Sequence, residues 1–205
     1  MQVSDKGIFA LAQHEGIVPA PYRDSVGVLT YGIGHTKAAG GPDPASLPRG
    51  MPADLDAALR DVFDVFRRDL ESYSEAVRRA VKVPVEQHEF DALVSFHFNT
   101  GGIARAAFVR HLNEGNRAAA AKAIMNWGHP PEIIPRRKAE QRLFREGVYP
   151  SGTVPVWQVT DAGQVVWKPA RSLSMAQVLD LLDDPDAKPA SGFFAFILRL
   201  LGRAS

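Results

Sequence analysis

Residues 14–36, "HEGIVPAPYRDSVGVLTYGIGHT", hold two carboxylates and a hydroxyl with little ordinary core between them. Eight residues separate Glu15 from Asp24, and five separate Asp24 from Thr30. Two neighbouring carboxylates can do different work when their surroundings differ. One holds a proton and acts as an acid, and the other stays charged as a base or charge stabiliser. That division of labour is the chemistry of glycoside hydrolysis. Glu15 continues an apolar helical stripe, with Ile8, Leu11, Ala12 and Glu15 at i, i+3, i+4 and i+7, and an apolar surrounding favours a protonated acid. Asp24 lies among Arg23, Ser25 and Gly27, a polar turn that favours a charged carboxylate. Thr30 follows across the turn, where its hydroxyl can hold a water or touch a sugar. The same residues have ordinary uses. A Glu at a helix end and an Asp before a turn occur in proteins of every kind, so spacing alone leaves the catalytic and the structural reading both open.

The elements that must position these residues are legible around them. Ser4 can cap a helix starting near Asp5, and Gly16 can end it. Residues 17–36 read as a short hairpin with a tight turn at Ser25-Val26-Gly27. Residues 37–52, "KAAGGPDPASLPRGMP", read as a surface loop. From Asp54 to Val81 a wide apolar stripe (Leu55, Leu59, Val62, Phe63, Phe66, Leu70, Tyr73, Val77) predicts one long helix or two joined ones. A further helix follows Pro84. It is apolar enough to be central and is closed by Gly101-Gly102. Three more helical stretches fall at about 104–113, 116–127 and 135–146. After Pro150 the composition shifts to an alternating "VPVWQVTDAGQVVW" hairpin, a short capped helix in "SLSMAQVLDLLDD", a linker, and the apolar "FFAFILRLLGR". The expected fold class is α+β and mainly helical. A small β-hairpin subdomain lies near the N-terminus of a domain over residues 1–150, and a C-terminal extension covers 151–205.

Composition narrows the function classes. The 205-residue chain is 45% hydrophobic and 23% charged, which supports a packed core. Its formal net charge of +1 argues against binding nucleic acid by bulk charge. Residues 101–150 nevertheless hold nine Lys/Arg against four Asp/Glu. That is either a solvated helix face or a footprint for an anionic polymer. The chain has no cysteine, and its six histidines form no HExxH or close ligand pair, so no metal and no cofactor is expected. The N-terminus lacks a basic region followed by a long apolar run, so no signal peptide is expected there.

The pattern Glu15, eight residues, Asp24, five residues, Thr30 resembles the active-site pattern of the phage-type lysozymes (endolysins), glycoside hydrolase family 24. Gly32, Gly34 and His35 match as well. A second block, "EQHEFDALVSFHFNTGG" followed by "LNEGNRAAAAKAIMNW" and "PRRKAEQRLF", resembles the same family, so the likeness spans about residues 5–150. It implies a lysozyme-like fold and hydrolysis of the β-1,4 bond between N-acetylmuramic acid and N-acetylglucosamine in peptidoglycan. In that family Glu15 would be the general acid, and Asp24 with Thr30 would position the attacking water, with inversion. On the substrate side the resemblance points to Phe98, Asn99, Arg136 and His35. Arg136 would approach Glu15, and His35 would be paired with an acid. Phe98 also reads as core and Asn99 as a helix cap. The loop at 37–52 and the stretch "GHPPEIIPRR" depart from the family's usual sequence, and the resemblance says nothing of residues 151–205.

Such a protein is expected to be a monomer that stays in the host cytoplasm until a separate pore-forming protein releases it to the periplasm and cell wall. A lytic transglycosylase would need no water-positioning Asp24. A non-hydrolytic peptidoglycan-binding or virion-structural module would not need Glu15, Asp24 and Thr30 together. In the tail, Phe193, Phe196, Ile197, Leu200 and Leu201 share one helical face. The segment is too short to span a bilayer, which takes about 20 residues. It is expected either to dock on the rest of the chain or to make membrane-surface contact through residues 193–203.

Overall fold

In the computed structural model the structure describes residues 1–183, so the terminal segment 193–203 lies outside the described residues. Helix α1 (Asp5–Glu15) starts where the Ser4 hydroxyl accepts from the Gly7 N–H, and stops at Gly16, which has φ +72°. A three-stranded antiparallel sheet follows, in the order β1 (Val18–Arg23), β2 (Leu29–Gly32), β3 (His35–Thr36). Residues 37–52 form a loop with two short 3₁₀ turns and no strand. Asp54 caps the single continuous helix α2 (Leu55–Ala80), whose stripe from Leu59 through Val77 is buried apart from the half-buried Tyr73.

Helix α3 (Gln87–Thr100) is central, with eight consecutive buried residues from Glu89 to Phe96. Gly101 ends it in the left-handed conformation, which suits glycine because it lacks a Cβ. Helices α4 (Ala107–Asn113), α5 (Arg117–Ile124) and α6 (Ile134–Glu146) pack around it. The apolar core joins α1, α2, α3 and the later helices in one cluster.

Beyond residue 150, β4 (Thr153–Val159) and β5 (Val165–Ser174) form an antiparallel hairpin, and Ser174 caps α7 (Met175–Leu182). The hairpin was expected over 154–167, but its second strand runs on to Ser174. The added residues are mostly exposed and carry no alternating pattern, so pairing with β4 rather than burial makes them strand. Val154, Val156, Leu173 and Val178 belong to the same core cluster as Ile8, Phe9 and Leu11. The hairpin also runs along β1. Ile17 N donates to the Pro155 carbonyl at 2.9 Å, Trp157 N donates to the Ile17 carbonyl at 2.8 Å, and Arg23 N donates to the Gly163 carbonyl at 3.4 Å. The segment joining Glu15 to Asp24 is therefore tied at both ends to the C-terminal hairpin.

Candidate active site

Glu15 is the last residue of α1, so the helix end delivers it. The stripe it continues is buried at Ile8, Leu11 and Ala12, but Glu15 itself emerges with 29% of its side chain exposed. Its surroundings are also not apolar, in contrast to the expectation. The Arg136 guanidinium donates to Glu15 Oε1 at 2.6 Å. Among the described residues no hydrogen bond engages Oε2, so Oε1 fixes the orientation of the carboxylate and Oε2 stays open.

Arg136 is held in place from behind. Its Nε donates to Glu140 Oε1 at 3.0 Å and another nitrogen donates to the Ser95 carbonyl at 3.2 Å. Glu140 is buried and also accepts from Ser95 Oγ at 2.8 Å and from Arg137. Burial pushes the Glu140 carboxyl above its ordinary range, while Arg136, Arg137 and Ser95 draw it back. Arg137 is 0% exposed, lies over the Phe96 ring at 5.1 Å and donates to the Asn99 side-chain oxygen. Two buried guanidiniums and the buried Glu140 carboxylate thus make a connected set that ends at the partly exposed Glu15. Arg136 meets Glu15 as expected. Arg137, Glu140 and Ser95 were not anticipated. The one signal that could have shown them is the i, i+3 and i, i+4 spacing of Arg137, Arg136 and Glu140 on α6.

Asp24 stands in the turn between β1 and β2. Its Oδ1 accepts from Val26 N at 3.0 Å and Val28 N at 2.8 Å, which leaves Oδ2 free of backbone. Thr30 is 3% exposed, and its hydroxyl donates to the Val28 carbonyl at 3.1 Å, which leaves its lone pairs to accept. The Val28 carbonyl also accepts from Asp24 N at 3.0 Å. One peptide unit therefore sets Asp24 and Thr30 relative to each other. Tyr22 pairs with Thr30 across the strands. Burial first, then the charges of Asp24 and Glu15, push its hydroxyl up to about 12, so Tyr22 lies within the field of both carboxylates. His14 is pulled down to about 4 by burial and then by Arg136 and Arg137, which makes it a neutral neighbour of Glu15 near pH 7.

The remaining candidates divide. Phe98 is half-buried, edge-on to Phe66 at 5.6 Å and tilted against Tyr73 at 4.9 Å, and it faces Gly34, whose Cβ, if present, would lie 3.6 Å from the ring. It joins α3 to the hairpin lobe. Asn99 does not cap the helix; Gly101 N closes it on the His97 carbonyl, and the Thr100 hydroxyl accepts from Gly102 N. Asn99 reaches the Arg137 end of the buried set instead. His35 is 1% exposed, with Nδ1 2.8 Å from Asp69 Oδ2 and Nε2 2.8 Å from the Pro42 carbonyl. It is paired with an acid, as the resemblance implied, and it pins the 37–43 loop to α2. Among the described residues no group of His, Asp and Glu is placed to hold a metal ion.

A mostly helical domain with a small sheet at its side, presenting one carboxylate at a helix end and another in the adjoining turn, has the build of a lysozyme-fold glycosidase. The comparisons agree. The family described as phage lysozyme matches residues 12–140, and the chain belongs to that family. The endolysin of Salmonella phage P22 is 37% identical over 150 residues, which span 70% of this chain and 98% of that protein. The endolysin from Escherichia coli O157:H7 phage FAHEc1 superposes with a TM-score of 0.61 at 31% identity, over 73% of this chain and 97% of that one. The muramidase domain of SpmX from Asticaccaulis excentricus gives a TM-score of 0.57 at 29% identity, over 70% and 97%. The protein is a lysozyme (muramidase), a glycoside hydrolase whose substrate is peptidoglycan.

Proposed function

We propose that the protein is an endolysin that hydrolyses the β-1,4 bond between N-acetylmuramic acid and N-acetylglucosamine, with Glu15 as general acid and Asp24 and Thr30 holding the attacking water. The observation that carries this reading is the one-sided grip on Glu15. Arg136 holds Oε1 at 2.6 Å, and Oε2 is open to carry the proton that the leaving sugar oxygen requires. Asp24 is anchored through Oδ1 alone and Thr30 through its proton alone, so Oδ2 and the Thr30 lone pairs can accept both hydrogens of one water. Water attack on the face opposite the departing group inverts the anomeric centre. Phe98 and Asn99 would meet the sugar face and the acetamido group.

The enzyme acts as a monomer on the cell wall. Among the described residues no helix is long and apolar enough to cross a membrane. A separate pore-forming protein releases the enzyme from the host cytoplasm. The test is turbidity loss of chloroform-treated Gram-negative cells by the wild type and Glu15→Gln. The variant keeps an oxygen for Arg136 but has no proton to give, and the expected loss is about 10²–10⁴-fold with the fold intact. Activity within a few-fold of wild type would remove Glu15 from the mechanism.

A further inference from the structure

The catalytic apparatus leaves one aromatic surface unexplained, and it lies on the C-terminal hairpin, outside the residues that match the family. Trp167 is 77% exposed near the start of β5. A side chain of this kind usually buries roughly 150–250 Å². It is not loosely placed, because the Trp157 ring meets it edge-on at 5.4 Å and 73°. Trp157 in turn is seated on Gly16, its Nε1 only 2.5 Å from where a Cβ would stand, so the residue after Glu15 must be small for the ring to lie there. Trp157 and Tyr22 pack against the same small cluster of Val18, Ala20 and Val159. Tyr22 feels both Glu15 and Asp24. Three rings therefore lead from the carboxylates onto the extension.

We propose that Trp167, braced by Trp157, is an additional subsite for the glycan strand of the substrate. The inference rests on the muramidase reading above. Pyranose rings present flat C–H faces that stack on indole, and a strand bound at Glu15 and Asp24 continues past them for many sugars. The next residue, Lys168, is exposed and has no ion pair among the described residues, which suits the carboxylates of the peptides attached to that strand. The site is continuous with the catalytic strand because the same hairpin is bonded to Ile17 and Arg23.

Binding is measured in the Glu15→Gln full-length chain, so that substrate is not consumed, by co-sedimentation with purified insoluble peptidoglycan and, in parallel, with phosphatidylglycerol-containing vesicles. Trp167→Ala is expected to weaken peptidoglycan binding about tenfold, a typical cost of truncating a buried contact tryptophan, and Trp167→Phe to weaken it less. The residue is exposed, so the melting temperature should hold, and a loss of affinity then reports the surface and not the fold. Peptidoglycan binding within twofold of the parent overturns the proposal. A loss confined to the vesicles also overturns it, in favour of a membrane contact. If Glu15→Gln still lysed walls, the catalytic assignment would fail instead, a result that sedimentation does not produce.

Discussion

The buried set behind Glu15 can be tested at Glu140. Glu140→Gln keeps the shape but removes the charge that faces Arg136 at 3.0 Å and Arg137 more closely still. One side-chain oxygen survives to accept from one guanidinium or from Ser95. The new amide presents donors to a donor. Removing one partner of a buried pair costs about 3–5 kcal/mol. The lower end, about 3 kcal/mol, applies here because Arg136 keeps Glu15 and the Ser95 carbonyl, and Arg137 keeps Asn99. At about 2–4 °C per kcal/mol for a chain of this size, the melting temperature should fall by roughly 6–12 °C in a circular-dichroism scan at pH 7. Arg137→Met combined with Glu140→Leu should recover part of that loss, because packed apolar groups need no charge compensation. The change should also reach catalysis. With Glu140 neutral, Arg136 loses an anchor at 3.0 Å and its grip on Glu15 Oε1 loosens, so wall lysis should fall several-fold. A fall in melting temperature of less than about 2 °C, or a double variant as unstable as the sum of its parts, would refute the reading of these four groups as a charge-balanced unit.

Asp24→Asn keeps an oxygen for Val26 N and Val28 N, so it should cost at least about 10²-fold in wall lysis with the turn intact, and Thr30→Ala about tenfold. Full activity with a lowered melting temperature in either variant would make that residue structural. His14 lies near 4 in the folded protein against an ordinary 6.5, so between these values the unfolded chain binds more protons. Stability present above pH 6.5 should therefore be lost as pH falls toward 4, by on the order of 2–3 kcal/mol. His14→Gln should flatten that part of a denaturant-stability profile, and parallel profiles would disprove the assignment. Lysis should slow only about two- to threefold from low to high salt. Arg136 and Arg137 are buried and Arg117 pairs with Glu89 at 2.8 Å, so the basic excess of residues 101–150 is partly spent inside. A rate independent of salt would leave the exposed remainder, such as Arg110 and Lys138, as a solvated face.

The helices could be read from the sequence because their signals are local. Ser4, Gly16, Asp54 and Gly101 act on neighbours within a few residues, and the stripes of α2 and α3 repeat on their own. The Glu15–Asp24–Thr30 pattern is local too, a helix end followed by a hairpin. The support of Glu15 is not local. Ser95, Arg136 and Glu15 meet across 41 and 121 residues, and nothing in "PRRKAE" says which arginine turns inward. In the structure both do, so a run that reads as solvated charge is half interior. The environment of Glu15 was misread for the same reason: a stripe predicts which side of a helix is buried, but not that its last position opens onto an arginine from α6. The pairing of the C-terminal hairpin with Ile17 and Arg23 depends on backbone groups, which every sequence has, and so leaves no trace in residue type.

That pairing also bears on solubility. In the order β1-β2-β3, strand β1 is an edge, and an edge with free N–H and C=O groups is a template for another chain. β4 and the turn at Gly163 cover it at both ends, and Val159 covers the apolar patch of Val18 and Ala20 between them. A chain cut near residue 150, where the family-like sequence ends, would keep Glu15, Asp24 and Thr30 but bare this edge, so the truncated molecules would be able to pair with one another along the very strand that joins the two carboxylates.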